Sequence, residues 1–119
     1  MVLVDTSIWV SHFREGDKYL QDLLLNESVL CHPFVIGELA CGHLKNREEI
    51  IALLKALPRA KTVENDEILQ FIENKRLRGK GIGIIDVHLL ASPIISKVQL
   101  WTDDKQLQRA ADKLNILYK

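Results

Sequence analysis

The sequence lacks long apolar runs, a cysteine framework and any sign of a leader segment. In a chain of 119 residues, no apolar stretch approaches the roughly 18 residues that a membrane-spanning helix needs. The N-terminus has neither the basic region nor the cleavage site of a signal peptide. Two cysteines are too few for a disulfide framework. These features predict a protein of the reducing cytoplasm that does not associate with membranes.

An excess of charge of one sign is also missing. Sixteen basic residues balance sixteen acidic ones, for a formal net charge of zero. This balance excludes a nucleic-acid binder that relies on a strongly basic field over the whole domain, although a basic stripe can coexist with an acidic pocket. The apolar share of 47% excludes disorder. Repeats, low-complexity tracts and linkers are absent, so the chain is predicted to form one domain over residues 1–119.

Short apolar runs alternate with longer segments of helical periodicity. Spacings such as Val87, Leu90, Ala91 and Ile94 are typical of an amphipathic helix. The alternation predicts an α/β fold with a mostly parallel sheet that is covered by helices on both faces. A proline at position 93 is expected to kink or end the helix that begins near residue 86. The predicted strands cover residues 2–4, 29–31, 61–63, 98–102 and 116–118.

Several acidic residues lie in apolar surroundings or at strand ends. Asp5 follows the first predicted strand, Glu38 is the only charge between residues 33 and 43, and Asp86 precedes an apolar helix face. No lysine or arginine is next to any of them, and a buried carboxylate needs a partner or a metal. Asp103 and Asp104 follow the strand at 98–102. Because ligand sites in parallel sheets lie beyond the carboxyl ends of the strands, these acids are expected to converge there.

Convergence of carboxylates favours hard divalent cations. Like charges repel unless cations neutralise them, and oxygen ligands select Mg²⁺ or Mn²⁺ over zinc. One or two such ions suit phosphodiester hydrolysis, with Ser7 and Thr102 as hydroxyls that orient ligands or water. The alternative is that Asp5, Asp86 and either Asp103 or Asp104 simply cap helices. Capping does not account for Glu38, since glutamate is a poor cap.

The histidines and cysteines suggest a zinc site only superficially. Cys31-His32 and Cys41-Gly-His43 fit none of the common zinc-binding spacings. Cys31 lies in an apolar run, where a free cysteine behaves as a small hydrophobe. The other two histidines fall in helical segments, where a structural role is the default interpretation.

Four segments resemble, in order and over nearly the whole chain, the motifs of PIN-domain ribonucleases, specifically the VapC-type toxins of toxin–antitoxin pairs. The last of them has the form Thr-x-Asp, which assigns the fourth acid to Asp104 and leaves Asp103 at the variable position. Each motif alone is weakly specific, and the four together are strong. The segments are Val-Leu-Val-Asp5-Thr-Ser-Ile-Trp-Val, His-Pro-Phe-Val-Ile-Gly-Glu38-Leu-Ala, Gly-Lys-Gly-Ile-Gly-Ile-Ile-Asp86-Val-His-Leu-Leu-Ala-Ser and Leu-Trp-Thr-Asp-Asp104-Lys-Gln-Leu.

The resemblance implies a three-layer α/β/α fold and an RNA endonuclease that depends on Mg²⁺ or Mn²⁺. It also implies homodimers and inhibition by a VapB-type antitoxin, whose C-terminal segment lies over the active-site groove. Trp9 and Phe13 either receive that segment or pack in the core. Pro93 departs from the Ala/Leu-rich continuation usual in the family, which puts in doubt the path of the helix beyond residue 92.

The resulting hypothesis assigns roles to individual residues. Asp5 and Asp86 are the principal metal ligands, and Glu38 and Asp104 bind a second ion or hold coordinated water. A basic run before the glycines either contacts RNA phosphates or forms a solvated helix end. That run comprises Lys75, Arg76, Arg78 and Lys80.

Functions of other classes remain as alternatives. A non-catalytic PIN scaffold would only bind partners. A phosphoacceptor receiver domain needs an acidic pair after the first strand, where this chain has Asp5-Thr6, and a haloacid-dehalogenase-like phosphatase needs aspartate where it has Ser7.

Overall fold

The computed structural model describes residues 1–119, which fold around a short parallel sheet. Its central strand is β1 (Val2–Val4), which pairs in parallel with β2 (Val29–Leu30) on one side and β3 (Gln99–Trp101) on the other. All residues of β1 are buried, so both faces of the sheet are covered. Because the strands are parallel, their carboxyl ends meet at one edge.

Single bridges extend the sheet beyond these strands. Cys31 pairs with Arg59, and Leu100 pairs with Leu117, so the predicted strand at 116–118 is reduced to one bridge. The strand predicted at 61–63 is wrong. The N–H of Lys61 donates to Ser96 Oγ, and its carbonyl accepts from Ser92 Oγ. Side chains of a neighbouring helix therefore occupy the backbone groups that a sheet ladder would need.

Seven helices cover the sheet. Six of them fall into two contacting groups, one of α1, α3 and α4 and one of α5, α6 and α7. This arrangement confirms the predicted α/β class with helices on both faces of a parallel sheet. The helices are α1 (Thr6–Glu15), α2 (Lys18–Leu25), α3 (Pro33–Cys41), α4 (Arg47–Ala56), α5 (Asn65–Asn74), α6 (Ile84–Ser96) and α7 (Lys105–Lys113).

Helix α6 is the most deeply buried helix and carries Asp86 in its first turn. Of the two outcomes expected for Pro93, a kink or an end, the end is wrong, since the helix continues to Ser96. Pro93 lies near the C-terminal end, where only one intrahelical hydrogen bond is lost. The stop comes instead at Lys97, whose left-handed φ of 58° turns the chain and lets the N–H of Val98 donate to the Pro93 carbonyl at 3.0 Å.

Candidate active site

Acidic residues gather at the carboxyl edge of the sheet, each delivered by a different element. Asp5 follows β1 and caps α1, and Asp104 follows β3 and caps α7. Asp86 lies in the first turn of α6, and Glu38 lies on α3. The structure therefore brings residues that are distant in sequence to one face of the domain.

Asp5 is buried, and its carboxylate is satisfied by hydrogen bonds, with no basic side chain paired to it. Its carboxylate accepts from the backbone N–H of Thr6 at 2.7 Å, from Thr102 Oγ1 at 2.7 Å and from Ser7 Oγ at 3.1 Å. Burial of a carboxylate is tolerated when its oxygens are satisfied in this way. These contacts also fix the orientation of the Asp5 side chain.

Ser7 and Thr102 connect Asp5 to the chain after β3. Thr102 Oγ1 accepts from the backbone N–H of Asp104 at 3.1 Å, and Ser7 Oγ accepts from that of Asp103 at 3.0 Å. Each hydroxyl thus accepts from a backbone amide and donates its proton to the Asp5 carboxylate. Asp103 takes part through its backbone, while its side chain is exposed.

Asp104 combines a capping role with a place in the acidic pocket. Its Oδ1 accepts from the backbone N–H of Leu107 at 3.0 Å, at the start of α7. The capping interpretation is therefore right for Asp104 and for Asp5. It is wrong for Asp86, because Gly83 is the N-cap of α6. Capping uses only one Asp104 oxygen, so the other can act in the pocket.

The pKa of Asp86 reflects its burial and the charges of the other acidic residues. Burial, the larger cause, and the negative charges of Asp5, Asp104 and Glu38 together raise its pKa from 3.8 to about 6. The Asp86 carboxylate accepts no hydrogen bond that would offset this repulsion. Like charges are therefore concentrated around Asp86, and no basic side chain pairs with it.

Glu38 corrects one expectation from the sequence. Its surroundings in the sequence are apolar, yet its side chain is exposed, because Val35 and Leu39 occupy the buried face of α3. Thr6 Oγ1 donates to Glu38 Oε1 at 2.7 Å. The sequence analysis assigned no role to Thr6. The only available signal was a hydroxyl directly after Asp5, and nothing local indicated its distant partner.

No basic side chain neutralises the acidic residues. The one salt bridge of the chain joins Lys119 to Asp112 at 3.8 Å, away from the pocket. No three acidic, histidine or cysteine side chains are close enough to form a ready-made metal cage. The donor set nevertheless fits a hard divalent cation, since it consists of carboxylate and hydroxyl oxygens with excess negative charge.

The predicted basic residues do not contact the acids. Lys75, Arg76 and Lys80 line a cavity against α7. Arg78 lines only the adjacent cavity, beside Glu73. None of these side chains forms an ion pair.

Two of the histidines and Cys31 have local structural roles. His32 Nδ1 accepts from the N–H of Phe34, and His12 Nδ1 accepts from that of Asp17, both at 3.0 Å. Burial, with help from the neighbouring His88, lowers the pKa of His32 to about 4. Cys31 is fully buried, and burial raises the pKa of its thiol to about 11.

The fold and the site together define a parallel α/β domain that concentrates carboxylates at the carboxyl edge of its sheet. The PIN domain family model matches residues 2–113, and the chain belongs to this family. Two curated relatives, both called Ribonuclease VapC32, come from Mycobacterium tuberculosis strains CDC 1551 / Oshkosh and ATCC 25618 / H37Rv. Each is 42% identical over 111 residues, which covers 92% of this chain and 90% of the relative.

Solved structures share the fold at low sequence identity. The crystal structure of PAE2754 from Pyrobaculum aerophilum superposes with a TM-score of 0.62 and 14% identity, covering 95% of this chain and 85% of that one. The structure of FitAB bound to an IR36 DNA fragment gives a TM-score of 0.59 and 17% identity, covering 94% and 91%. At these identities the likeness concerns architecture.

None of the helices has the length and apolar character needed to cross a membrane.

Proposed function

We propose that this protein is a metal-dependent endoribonuclease and the toxin of a VapBC-type pair, acting on RNA with Mg²⁺ or Mn²⁺. The observation that carries the proposal is the position of Asp86 close to three other carboxylates, those of Asp5, Asp104 and Glu38, with no basic side chain paired to it; burial and these charges together raise its pKa. The 42% identity to proteins called Ribonuclease VapC32 supports the same activity.

Asp5 and Asp86 would be the principal ligands, and Glu38 and Asp104 would hold a second ion or coordinated water. The metal would polarise the phosphate and lower the pKa of an attacking water. The chain's own hydroxyls then have defined tasks. Thr102 and Ser7 hold Asp5 in place, and Thr6 holds Glu38 at the rim.

The cluster weighs against a scaffold that only binds partners. Uncompensated carboxylates destabilise a fold, and a scaffold has no use for them. The receiver-domain alternative is weaker still, because the structure shows a single buried acid directly after β1 and places the pair Asp103–Asp104 after β3.

We assign the antitoxin to an apolar groove formed by α1, α2 and α4, with a cavity of about 350 Å³. Trp9 is buried and stacks on Phe13 at a centroid distance of 5.7 Å. Core packing therefore describes Trp9, whereas the half-buried Phe13 and the exposed Leu53 offer apolar surface to a VapB-type segment. We also propose that this protein forms a homodimer.

The direct test is RNA cleavage by the purified chain. We expect cleavage with Mg²⁺ or Mn²⁺, its loss in EDTA and its return when metal is added in excess. The double variant Asp5→Asn/Asp86→Asn, purified in parallel, controls for contaminating nucleases, and Asp22→Asn on the exposed face of α2 controls for loss of an acid elsewhere. Cleavage that persists in EDTA or in the double variant would reject the proposal.

Thr6 offers a narrower test as a positioning residue. Thr6→Val removes the donor to Glu38 at nearly constant volume, and we expect kcat to fall roughly tenfold, as for residues that orient metal ligands. Thr6→Ser retains the hydroxyl and should restore most of the rate. The metal concentration for half-maximal activity should rise in Thr6→Val alone. Equal rates in the two variants would show that the contact does not matter.

A further inference from the structure

A cleft of about 560 Å³ lies between α7 and the segment that links α5 to α6. We call it the basic cleft. Its only acidic residue is Asp112, whose partner is Lys119 at 3.8 Å. The basic residues that line it are Lys75, Arg76, Lys80, Arg109 and Lys113.

The positive charge in the basic cleft is local and uncompensated. The chain has no net charge, yet five basic side chains and one acidic one line this cavity. All five are exposed, and none forms an ion pair. A concave surface of this kind attracts polyanions, since each bound phosphate releases condensed counterions.

Helix α7 connects the basic cleft to the acidic pocket. The helix is capped by Asp104, and the cleft-lining residues Gln106, Arg109 and Lys113 follow at spacings that place them on one face. At 1.5 Å per residue, Lys113 lies about 13 Å along the axis from Asp104. A stacked strand carries one phosphate per about 3.4 Å, so this face spans a few nucleotides.

The opposite wall of the cleft is fixed against the same helix. Gly81 has a φ of 72°, and a Cβ at this position would lie 3.0 Å from the Gln106 side chain. The segment therefore packs closely on the first turn of α7. It then continues into α6, which carries Asp86. The two walls of the cleft are thus continuous with the elements that carry Asp104 and Asp86.

We infer that the basic cleft binds the phosphate backbone of single-stranded RNA and that the strand follows α7 away from the acidic pocket. This inference rests on the proposed nuclease function and adds Arg109 and Lys113 to the substrate contacts. It also separates Arg78, which does not line the cleft, from the other residues of the basic run. Phosphate contacts of this type position a strand without reading its sequence.

The test measures RNA affinity in the Asp86→Asn background, where no cleavage is expected. Fluorescence anisotropy with a short labelled single-stranded RNA of mixed sequence gives Kd over a range of salt concentrations. We expect Arg109→Gln/Lys113→Gln to weaken binding roughly tenfold and to reduce the salt slope by about 1.4, since each single-strand phosphate contact contributes about 0.7. The charge-preserving pair Arg109→Lys/Lys113→Arg should retain the original slope.

The matched control is Lys55→Gln/Lys61→Gln, which removes the same charge from exposed positions outside the cleft. Equal weakening by both pairs, or an unchanged slope in the cleft variant, would overturn the inference. Thermal unfolding confirms that each variant is folded. If the wild-type chain cuts RNA while the cleft variant binds normally, only this inference fails. If the wild-type chain cuts no RNA with any metal, the proposed function itself fails.

Discussion

Asp86→Asn is expected to abolish RNA cleavage and at the same time to stabilise the metal-free protein at neutral pH. The carboxylate is a proposed metal ligand, and its loss should reduce kcat by more than about 100-fold. Its negative charge is also the most strongly opposed in the chain, by burial and by Asp5, Asp104 and Glu38. Asparagine keeps the shape of the side chain and removes that charge.

The stability gain should depend on pH with a definite sign. The pKa of Asp86 is raised from 3.8 to about 6 in the folded state, so between these values the folded state binds more protons than the unfolded state. The contribution of Asp86 to the free energy of unfolding of the metal-free wild type therefore falls as pH rises from about 4 to about 6 and then levels off. Asp86→Asn lacks this contribution, so its free energy of unfolding exceeds that of the wild type by the full amount only above pH 6.

The magnitude follows from the pKa shift. The full shift corresponds to about 3 kcal/mol, and because Asp86 is partly exposed we expect about 1 to 2 kcal/mol after screening by solvent. For a chain of this length, that raises the Tm by roughly 4 to 8 °C. Thermal unfolding in EDTA at pH 4 and pH 7.5 measures it, with the exposed neighbour Asp103→Asn as control. A lower Tm for Asp86→Asn at pH 7.5 would contradict the electrostatic account.

Sequence patterns were sufficient for the fold class and for the placement of Asp5 and Asp104 at one edge of the sheet, because both follow from local periodicity and from the geometry of parallel strands. Asp5 and Asp104 directly follow strands, so their shared edge could be predicted. The strand at 61–63 could not be judged correctly. Its backbone partners, Ser92 and Ser96, lie about thirty residues away along the chain, and β propensity does not record such competition.

The same limit applies to details of the site. Exposure of Glu38 depends on which face of α3 meets the core, and its apolar neighbours in sequence suggested burial. The Thr6–Glu38 hydrogen bond spans 32 positions. The basic run was visible in the sequence, but Arg109 and Lys113 join it only through packing of α7. The features of the site that the sequence did not predict thus depend on contacts between helices and strands that are distant in sequence.

Asp5→Asn should also abolish cleavage, by more than about 100-fold, but with a loss of stability. The Asp5 carboxylate accepts hydrogen bonds from Ser7 Oγ and Thr102 Oγ1. Both hydroxyls already accept from the backbone amides of Asp103 and Asp104, so neither can readily turn to accept from a carboxamide. The new amide group would face donors in a buried site, which costs about 2 to 4 kcal/mol.

The two isosteric substitutions therefore separate catalysis from folding. Both should remove activity, while the Tm rises for Asp86→Asn and falls for Asp5→Asn, because Asp86 lacks the hydrogen bonds that satisfy Asp5. Added Mg²⁺ or Mn²⁺ should raise the Tm of the wild type and of Asp22→Asn, since a ligand of the folded state stabilises it, and should have little effect on either active-site variant. If unfolding alone caused the loss of activity, Asp86→Asn, which stays folded, would still cleave RNA. An inactive, more stable Asp86→Asn that no longer responds to metal would assign its carboxylate to the chemistry rather than to the fold.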